Sequence, residues 1–248
     1  MSAPSVTPRT DDDTGAVGSA QRVIPRHIAI IMDGNRRWAR AQGVPEAQGH
    51  AAGVEAIRPI VRRCAALGVE ALTIYAFSRE NWQRSGEEVE TLISLLEGAI
   101  RDETPELVEQ GVRVRLAGRL AELRAETRAS IEQAIAATAK GERMVLNVAF
   151  NYSSRSEILD AFRAYVEDGN SLAQLDETAF EDYLYTAGLP DPDLLVRTGG
   201  DQRVSNFLLW QAAYAELYFC DCYWPAFGPD ELDQAIDEFG RRSRRFGR

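Results

Sequence analysis

Apolar residues recur along the chain with two different spacings. Short runs rich in β-branched and aromatic residues have the length of buried strands, and they fall at 28–31, 71–77, 112–117, 144–150, 193–196 and 215–219. Between them, apolar residues at helical spacing predict helices over 52–67, 87–110, 121–139, 157–166 and 230–242. This alternation predicts an α/β fold: a single domain with a mostly parallel six-stranded sheet flanked by helices.

Polar residues follow three of these strands at the point where each one ends. Asp33, Ser78 and Arg197 occupy these positions. Ligands of such sheets bind at the carboxyl ends of the strands, so we expect one shared site.

The segment after the first strand has the composition of a phosphate site. Gly34 allows close backbone approach, Asn35 can cap a helix whose free N–H groups attract anions, and Arg36 and Arg37 add positive charge. An ordinary turn followed by a solvated basic helix would have the same local sequence. The chain contains neither GxGxxG nor GxxxxGK[ST], so neither a dinucleotide site nor a nucleotide P-loop is indicated.

Length and composition fit a globular protein. The chain has 248 residues, 45% of them hydrophobic, and no apolar run reaches the roughly 20 residues of a membrane span. Residues 1–24 lack the apolar core of a signal peptide, and we interpret them as a disordered leader on a cytosolic protein, followed by one domain over 25–248. Cys64, Cys220 and Cys222 are too few and unsuitably spaced for a disulfide framework or a zinc site.

Charge is distributed unevenly. The net charge is −10, yet the last eight residues contain five arginines, so residues 1–240 carry −15. This argues against a general nucleic-acid binder, and the basic end is either a solvated helix end or a local anion contact. Glu216 lies inside a hydrophobic run, where an acid costs several kcal/mol unless it is paired or bound to a metal.

Five motifs occur in a distinctive order along the chain. They are MDGNRRWAR at 32–40, GH at 49–50, YAFSRENWQR at 75–84, NVAFNYSSRSEI at 147–158 and LLVRTGGDQRVSNFLLWQAAYAELYF at 194–219. Together they resemble the cis-prenyltransferase family, the undecaprenyl diphosphate synthases and their relatives, from residue 26 to the C-terminus.

The resemblance implies an Mg²⁺-dependent prenyl transferase. Such an enzyme condenses isopentenyl diphosphate with an allylic diphosphate, such as farnesyl or geranyl diphosphate, and makes each new double bond cis. The resemblance also implies a homodimer. Its product would be a long lipid diphosphate that is delivered to the membrane as a carrier of cell-wall glycans. The enzyme itself is expected to be cytoplasmic or peripheral at the membrane. Three alternatives stay open: a short-chain synthase (C10–C20), a non-catalytic partner subunit, and a generic phosphate-binding α/β protein.

The resemblance also assigns residues. Asp33 and Asn81 match catalytic positions, and Asp33 and Glu216 match the acids that hold Mg²⁺, a hard ion that prefers oxygen ligands. A neutral amide is a poor base, so we expect Asn81 to orient the substrate or a water while released diphosphate takes the proton. Arg245 and Gly247 match an Arg-x-Gly motif that reaches the partner's active site. The implied substrate-binding positions are Gly34, Asn35, Arg36, Arg37, Trp38, Glu46, His50, Ser78, Arg79, Glu80, Trp82, Arg84, Arg197, Arg203, Val204, Ser205, Arg245 and Gly247.

The chain departs from the family pattern at several positions. Arg36 replaces a usual glycine, Glu46 an arginine, Ser85 a proline and Asp201 a glutamate, and an acid at position 46 cannot bind phosphate directly. The helix that walls the product tunnel in the family, here 89–110, carries Glu97, Arg101, Asp102 and Glu103. Helical spacing puts Glu97 and Arg101 at the border of the apolar stripe, so we expect the charges to face outward and the product to be of medium to long chain length.

Overall fold

The structure is a computed structural model, and it describes residues 22–242. Residues 1–21 of the predicted leader 1–24 and the predicted contacts of Arg245 and Gly247 lie outside the described residues. Arg22 contacts the last helix, with its Nε 2.8 Å from a carboxylate oxygen of Asp237.

The described chain is built on one sheet of six strands, all paired in parallel, in the order β3-β4-β2-β1-β5-β6. The predicted α/β fold is confirmed. The strands are β1 His27–Ile31, β2 Ala71–Ser78, β3 Val112–Ala117, β4 Met144–Tyr152, β5 Leu194–Arg197 and β6 Glu216–Phe219.

Helices cover both faces of this sheet. The five helices predicted as ranges correspond to six, because one of them is divided, and two short helices also occur: the one expected after the first strand and one at 177–181. The helices are α1 Asn35–Gln42, α2 Glu46–Glu55, α3 Ile57–Leu67, α4 Gly86–Glu109, α5 Ala125–Thr138, α6 Ser154–Glu167, α7 Glu177–Glu181 and α8 Pro229–Arg241.

The helix predicted over 52–67 is wrong as a single element, because it is the end of α2 followed by α3. The two helices separate at Ala56, and Pro59 is the third residue of α3. Pro59 has no backbone N–H to donate to the carbonyl of Glu55, and proline is tolerated only in the first turn of a helix. The chain therefore starts a new helix just before this proline.

The core explains why the strands are uninterrupted apolar runs. Ile28 and Ile30 of β1 pack with residues of α3 and α8 on one face, whereas Ala29 and Ile31 pack with Phe207 on the other. Successive side chains of a strand point to opposite faces, so a strand covered on both faces must be apolar throughout. Polar groups are thus left to the strand ends.

Within 22–242, none of the helices combines the length and hydropathy that crossing a membrane would require.

Candidate functional site

The three strands that end in polar residues are neighbours in the sheet, in the order β2-β1-β5. Ile31 at the end of β1 pairs with Tyr75 on one side and Arg197 on the other. Their following segments enclose a polar pocket of about 850 Å³. The residues lining it include Asp33, Gly34, Asn35, Arg36, Arg37, Arg40, His50, Ser78, Glu80, Asn81, Arg84, Arg197, Asp201, Arg203, Ser205 and Asn206.

Asp33 is held in its charged form at the end of β1. One carboxylate oxygen accepts a hydrogen bond from Arg197 at 2.8 Å, and the other lies 3.1 Å from the guanidinium of Arg37. Burial alone would raise the pKa of this carboxyl, but hydrogen bonds and charge from Arg197 and Arg37 outweigh burial and lower it. Asp33 is therefore a carboxylate at neutral pH.

Arg197 is the buried cation of the pocket, with its side chain 4% exposed. Besides Asp33, its guanidinium donates to the hydroxyl of Ser205 at 2.7 Å and lies 3.4 Å from Asp201. Its Nε is buried without a hydrogen-bond partner. Arg203 lines the pocket, is 62% exposed and pairs with Asp201 at 2.7 Å.

The start of α1 forms another wall of the pocket. Gly34 precedes the helix with φ 107°, and a Cβ there would lie 2.8 Å from the ring of Tyr223. Asn35 does not cap the helix as the sequence suggested: it is the first helical residue, and its buried Oδ1 has no hydrogen-bond partner. Gly34 takes the cap position because only a residue without a side chain tolerates this φ and this contact.

His50 lies on α2 with 7% of its side chain exposed, at the border of the polar pocket. Neither ring nitrogen makes a hydrogen bond, although Nε2 is 3.4 Å from a carboxylate oxygen of Glu88. Burial lowers the pKa of His50 below its ordinary value. A buried imidazole without partners in a pocket suits a ligand that supplies the missing hydrogen bond.

The segment after β2 folds as a short 3₁₀ helix, Arg79–Gln83, over the pocket. Asn81 Oδ1 accepts a hydrogen bond from the backbone N–H of Ser78 at 3.0 Å. Arg84 pairs with Glu88 at 2.8 Å, and Glu80 accepts from the amide of Asn206 at 3.0 Å. Since its carbonyl oxygen is already used, Asn81 has its NH₂ group available to a ligand.

Several predicted substrate-binding residues do not line the pocket. Trp82 packs edge-on against Phe77 and donates from its indole N–H to Asn151 at 2.8 Å. Arg79 is paired with Glu122, and Val204 packs in the core beside β1. Trp38, on α1, also lies outside the lining.

Glu46 contacts arginines rather than an open space for phosphate. Its carboxylate accepts from Arg36 at 2.6 Å and from Arg40 at 2.8 Å. The two guanidiniums lower the pKa of Glu46 through hydrogen bonds, that from Arg36 being the stronger. The acid at this position therefore orients two cations that line the pocket.

Glu216 does not join Asp33 within one chain. Glu216 pairs with Leu194 at the start of β5, whereas Arg197, which contacts Asp33, pairs with Phe219 at the other end of β6. The Glu216 carboxylate lies 3.1 Å from the guanidinium of Arg242. An ion pair thus accounts for this acid in its hydrophobic run.

The pocket fits a magnesium ion only together with a phosphate ligand. Over the described range 22–242, no three His, Cys, Asp or Glu side chains converge as metal ligands. Mg²⁺ is commonly held by one or two carboxylates plus substrate phosphates, with water in the remaining positions. The ionised Asp33, surrounded by cations that would attract phosphate, meets this requirement.

A second, apolar cavity continues from the polar pocket between the sheet and α4. The two share the lining residues Met32, Asn35, His50, Tyr75, Ala76 and Leu92. Beyond these, the cavity is lined mainly by apolar residues of α4 and the strands, among them Leu95, Leu96, Ala99, Ile100, Val114, Leu146 and Val148. The combined space can take a molecule with an anionic head and a long apolar tail.

Of the charged residues of α4 predicted to face away from this cavity, Glu97, Arg101 and Asp102 do not line it, but Glu103 does, so the prediction is wrong for Glu103. Glu97 accepts a hydrogen bond from Thr127 of α5 at 2.6 Å, and the side chain of Arg101 is 75% exposed. The wall of the cavity along the middle of α4 is therefore apolar.

Sequence reasoning did not assign four residues with polar side chains that line the pocket, Arg40, Tyr75, Asp201 and Asn206. Arg40 lies within the quoted MDGNRRWAR motif. Asn206 adopts φ 61° and donates to Glu80 and to Ser153. Asparagine tolerates positive φ better than most residues. An asparagine in the same loop as Gly199 and Gly200 was therefore the sequence signal that this loop turns tightly at the pocket.

Comparison with known proteins gives one family. The family model described as "Putative undecaprenyl diphosphate synthase" matches residues 31–247. An isoprenyl transferase of Clostridium perfringens is 44% identical over 241 residues, covering 96% of this chain and 95% of the relative. An isoprenyl transferase of Brucella suis is 49% identical over 228 residues, covering 90% and 89%.

Two solved structures have the same fold. Lavandulyl diphosphate synthase of Lavandula x intermedia, in complex with dimethylallyl diphosphate, superposes with a TM-score of 0.88 at 36% identity, covering 91% of this chain and 99% of that one. A Campylobacter jejuni protein described as a probable undecaprenyl diphosphate synthase superposes with a TM-score of 0.77 at 31% identity, covering 90% and 99%.

Proposed function

Because the chain belongs to the undecaprenyl diphosphate synthase family of prenyltransferases, and is thus a prenyl-transferring enzyme, we propose that it condenses isopentenyl diphosphate with an allylic diphosphate. The product would be a Z-polyprenyl diphosphate of medium to long chain, of the undecaprenyl type. Such a lipid diphosphate would be delivered to a membrane as a carrier of cell-wall glycans.

One observation carries this proposal: the polar pocket at the ends of β1, β2 and β5 continues into the apolar cavity under α4. The diphosphate of the allylic substrate would lie against Arg37, Arg197 and the start of α1, where guanidinium forks and free backbone N–H groups attract phosphate. Its prenyl tail would pass Ala76 and Leu92 into the apolar cavity. The growing chain is buried while its reacting end stays among the polar groups.

The reaction joins the two substrates in this pocket. The C–O bond at C1 of the allylic substrate breaks, a C–C bond forms to C4 of isopentenyl diphosphate, and the proton at C2 of the latter is lost to the released diphosphate. Negative charge builds on the leaving diphosphate, and Arg37, Arg197 and Arg203 stabilise it because they are already in place around the pocket.

Asn81 serves as a positioning group in this scheme. Its carbonyl oxygen accepts from the backbone of Ser78, so the side chain presents its NH₂ group to the substrate. An amide N–H donates but does not take up a proton, in keeping with an orienting role. His50, buried without partners, would supply a further hydrogen bond to phosphate.

Magnesium completes the proposed site. Asp33 would hold Mg²⁺ against the diphosphate, and the ion would neutralise charge on the leaving group. Asp33 and Asp201 pair with Arg37, Arg197 and Arg203, and so offset part of the positive charge of the pocket before substrate arrives.

We also propose that the protein forms a homodimer. One face of α6 exposes Leu159, Phe162 and Val166, which are 54%, 40% and 44% exposed and lie three and four residues apart. Such an apolar stripe on a folded chain is typical of a protein interface. Light scattering is expected to give a dimer, with Phe162→Glu shifting it toward the monomer.

The proposal is tested by incubating the protein with labelled isopentenyl diphosphate, Mg²⁺ and a C10, C15 or C20 allylic primer, and then sizing the products. We expect products several isoprene units longer than the primer and none when Mg²⁺ is chelated. A series of products that stops at C20 would instead assign a short-chain synthase. The absence of any elongation with all three primers would contradict the proposed function.

A further inference from the structure

The apolar cavity under α4 has a group of charged residues in its lining near the C-terminal end of that helix. The charged residues among its described lining are Arg58, Glu103 and Glu106, which lie beside Leu107 and Gln110. Glu103 lies eleven residues beyond Leu92 on α4, or roughly 16 Å along the helix from the mouth of the cavity. Charged residues thus join the apolar lining far from the polar pocket.

Arg58 and Glu103 form a forked ion pair across this end. Arg58 Nε donates to the two carboxylate oxygens of Glu103 at 2.8 and 3.2 Å, and a terminal guanidinium nitrogen donates to Glu103 as well. Arg58 is the second residue of α3 and Glu103 lies in the last third of α4, so the pair joins the two helices that flank the cavity.

Neighbouring charges hold this pair in place. Arg58 lies 3.8 Å from Glu55 and 4.0 Å from Glu106, and Glu106 accepts from Arg62 at 2.6 Å. The side chains of Arg58 and Glu103 are 37% and 26% exposed and also line the cavity, so the pair lies between the cavity and solvent. A network of forked pairs is more persistent than a single surface ion pair.

We propose that the Arg58–Glu103 ion pair is the length stop of the product. This inference rests on the proposed function and adds the residues that determine its specificity. A prenyl chain gains free energy from each unit that enters apolar surroundings. A chain tip that reaches the pair meets charges that would lose hydration or their partner, so a further unit gains nothing.

The test compares product lengths of the wild-type protein with those of the double variant Arg58→Ala/Glu103→Ala. The measurement is mass spectrometry of products made from a C15 primer with excess isopentenyl diphosphate and Mg²⁺. Removing both charges opens this part of the cavity to the growing chain. We therefore expect the products to become longer by about one five-carbon unit or more. An unchanged distribution in a folded double variant would overturn the inference.

Matched variants separate this effect from a general disturbance. Arg101→Ala, on the exposed side of the same helix, and Arg58→Lys, which keeps a cation at the cavity end, should both retain the wild-type distribution. Lengthening by Arg101→Ala as large as that of the double variant would contradict the assignment.

A second variant applies if the double variant does not fold. Arg58→Met/Glu103→Leu also removes both charges but keeps apolar side chains in place of the pair, and it is likewise expected to lengthen the product; an unchanged distribution would again overturn the inference. Failure of the proposed function itself would look different, because the wild-type protein would then make no elongated product at all.

Discussion

The Asp33 carboxylate accepts from two guanidiniums that belong to different segments, Arg37 of α1 and Arg197 of β5. Its backbone contributes too: the carbonyl of Asp33 accepts from Thr198, and its N–H donates to the same hydroxyl. Asp33 therefore both positions the cations of the pocket and supplies the carboxylate for a divalent ion.

Replacing Asp33 by alanine should abolish most of the activity. We expect kcat to fall by roughly 10³-fold, since a main charge of the reacting site is removed and its two arginines lose their partner. Steady-state kinetics with circular dichroism as a folding control provide the measurement. Asp201→Ala serves as the comparison and should cost less, about tenfold, because Arg203 beside it is mostly exposed. Equal kinetics of Asp33→Ala and wild type would remove Asp33 from the site.

Glu46 offers a prediction of a different kind, because it acts through Arg36 and Arg40. In Glu46→Gln the two guanidiniums lose a charged partner and their fixed positions, so the KM for the allylic substrate should rise about three- to tenfold with little change in kcat. A matched change at Glu90, which is 61% exposed and pairs with Arg124, should leave both constants unchanged. A fall in kcat with constant KM would contradict a positioning role.

The packing of α1 on α2 depends on glycine. A Cβ on Gly49 would lie 2.3 Å from the carbonyl oxygen of Asn35 and 2.9 Å from the Cβ of Ala39. Both obstacles belong to α1, so the helices could not approach as they do. The pocket residues Asn35 and His50 lie on these two helices, and their close packing therefore shapes the pocket.

Gly49→Ala should destabilise the protein by about 2 kcal/mol or more, because backbone atoms must move to relieve the contact. Gly98→Ala is the control: that glycine is inside α4, where a Cβ would meet only Arg101 at 3.7 Å. This control should be neutral or stabilising by up to about 1 kcal/mol. Urea denaturation measures both, and similar stabilities for the two variants would contradict the packing argument.

The strands were predictable almost to the residue, since a strand covered on both faces needs an unbroken apolar run such as ALTIYAF at 71–77. The helix over 52–67 was predicted as one element because its apolar spacing continues across Ala56, yet Pro59 carried the signal for the break. Apolar periodicity identifies the face that a helix buries, but a residue without a backbone N–H, here Pro59, decides where the helix begins.

The composition of the site could be predicted, but its side-chain directions could not. Strand ends brought Asp33, Asn81 and Arg197 to one pocket, as parallel topology requires. Glu216 lies apart because the register of β6 on β5 decides which end of the strand it occupies. Trp82 turns toward Phe77 because a 3₁₀ turn fixes its direction, and a linear motif contains neither kind of information.

His27 links three parts of the molecule, and it gives the folded protein a distinct pH dependence. Its Nδ1 bonds the carbonyl of Pro190 at 2.6 Å and its Nε2 bonds Thr73 of β2 at 2.7 Å. Burial lowers the pKa of His27 from 6.5 to about 4. The unfolded chain therefore binds a proton between these values that the folded protein does not, so stability falls as pH decreases through this range.

Between pH 7.5 and 5, protonation of His27 in the unfolded state should remove about 2 kcal/mol of stability. His27→Gln keeps a donor and an acceptor but does not titrate, so its stability should change less over the same range. Urea denaturation of both proteins at the two pH values measures the difference, in which contributions from carboxyl groups common to both cancel. Equal losses in the two proteins would show that His27 is not the group responsible.

The central claim is that one continuous site takes the diphosphate at the ends of β1, β2 and β5 and the prenyl tail under α4. A crystal structure with Mg²⁺ and a thiodiphosphate analogue of farnesyl diphosphate tests it directly. We predict the diphosphate beside Asp33, Arg37 and Arg197 and the tail running past Ala76 and Leu92 toward Arg58 and Glu103. A diphosphate bound elsewhere, or a tail lying outside the cavity under α4, would contradict the claim.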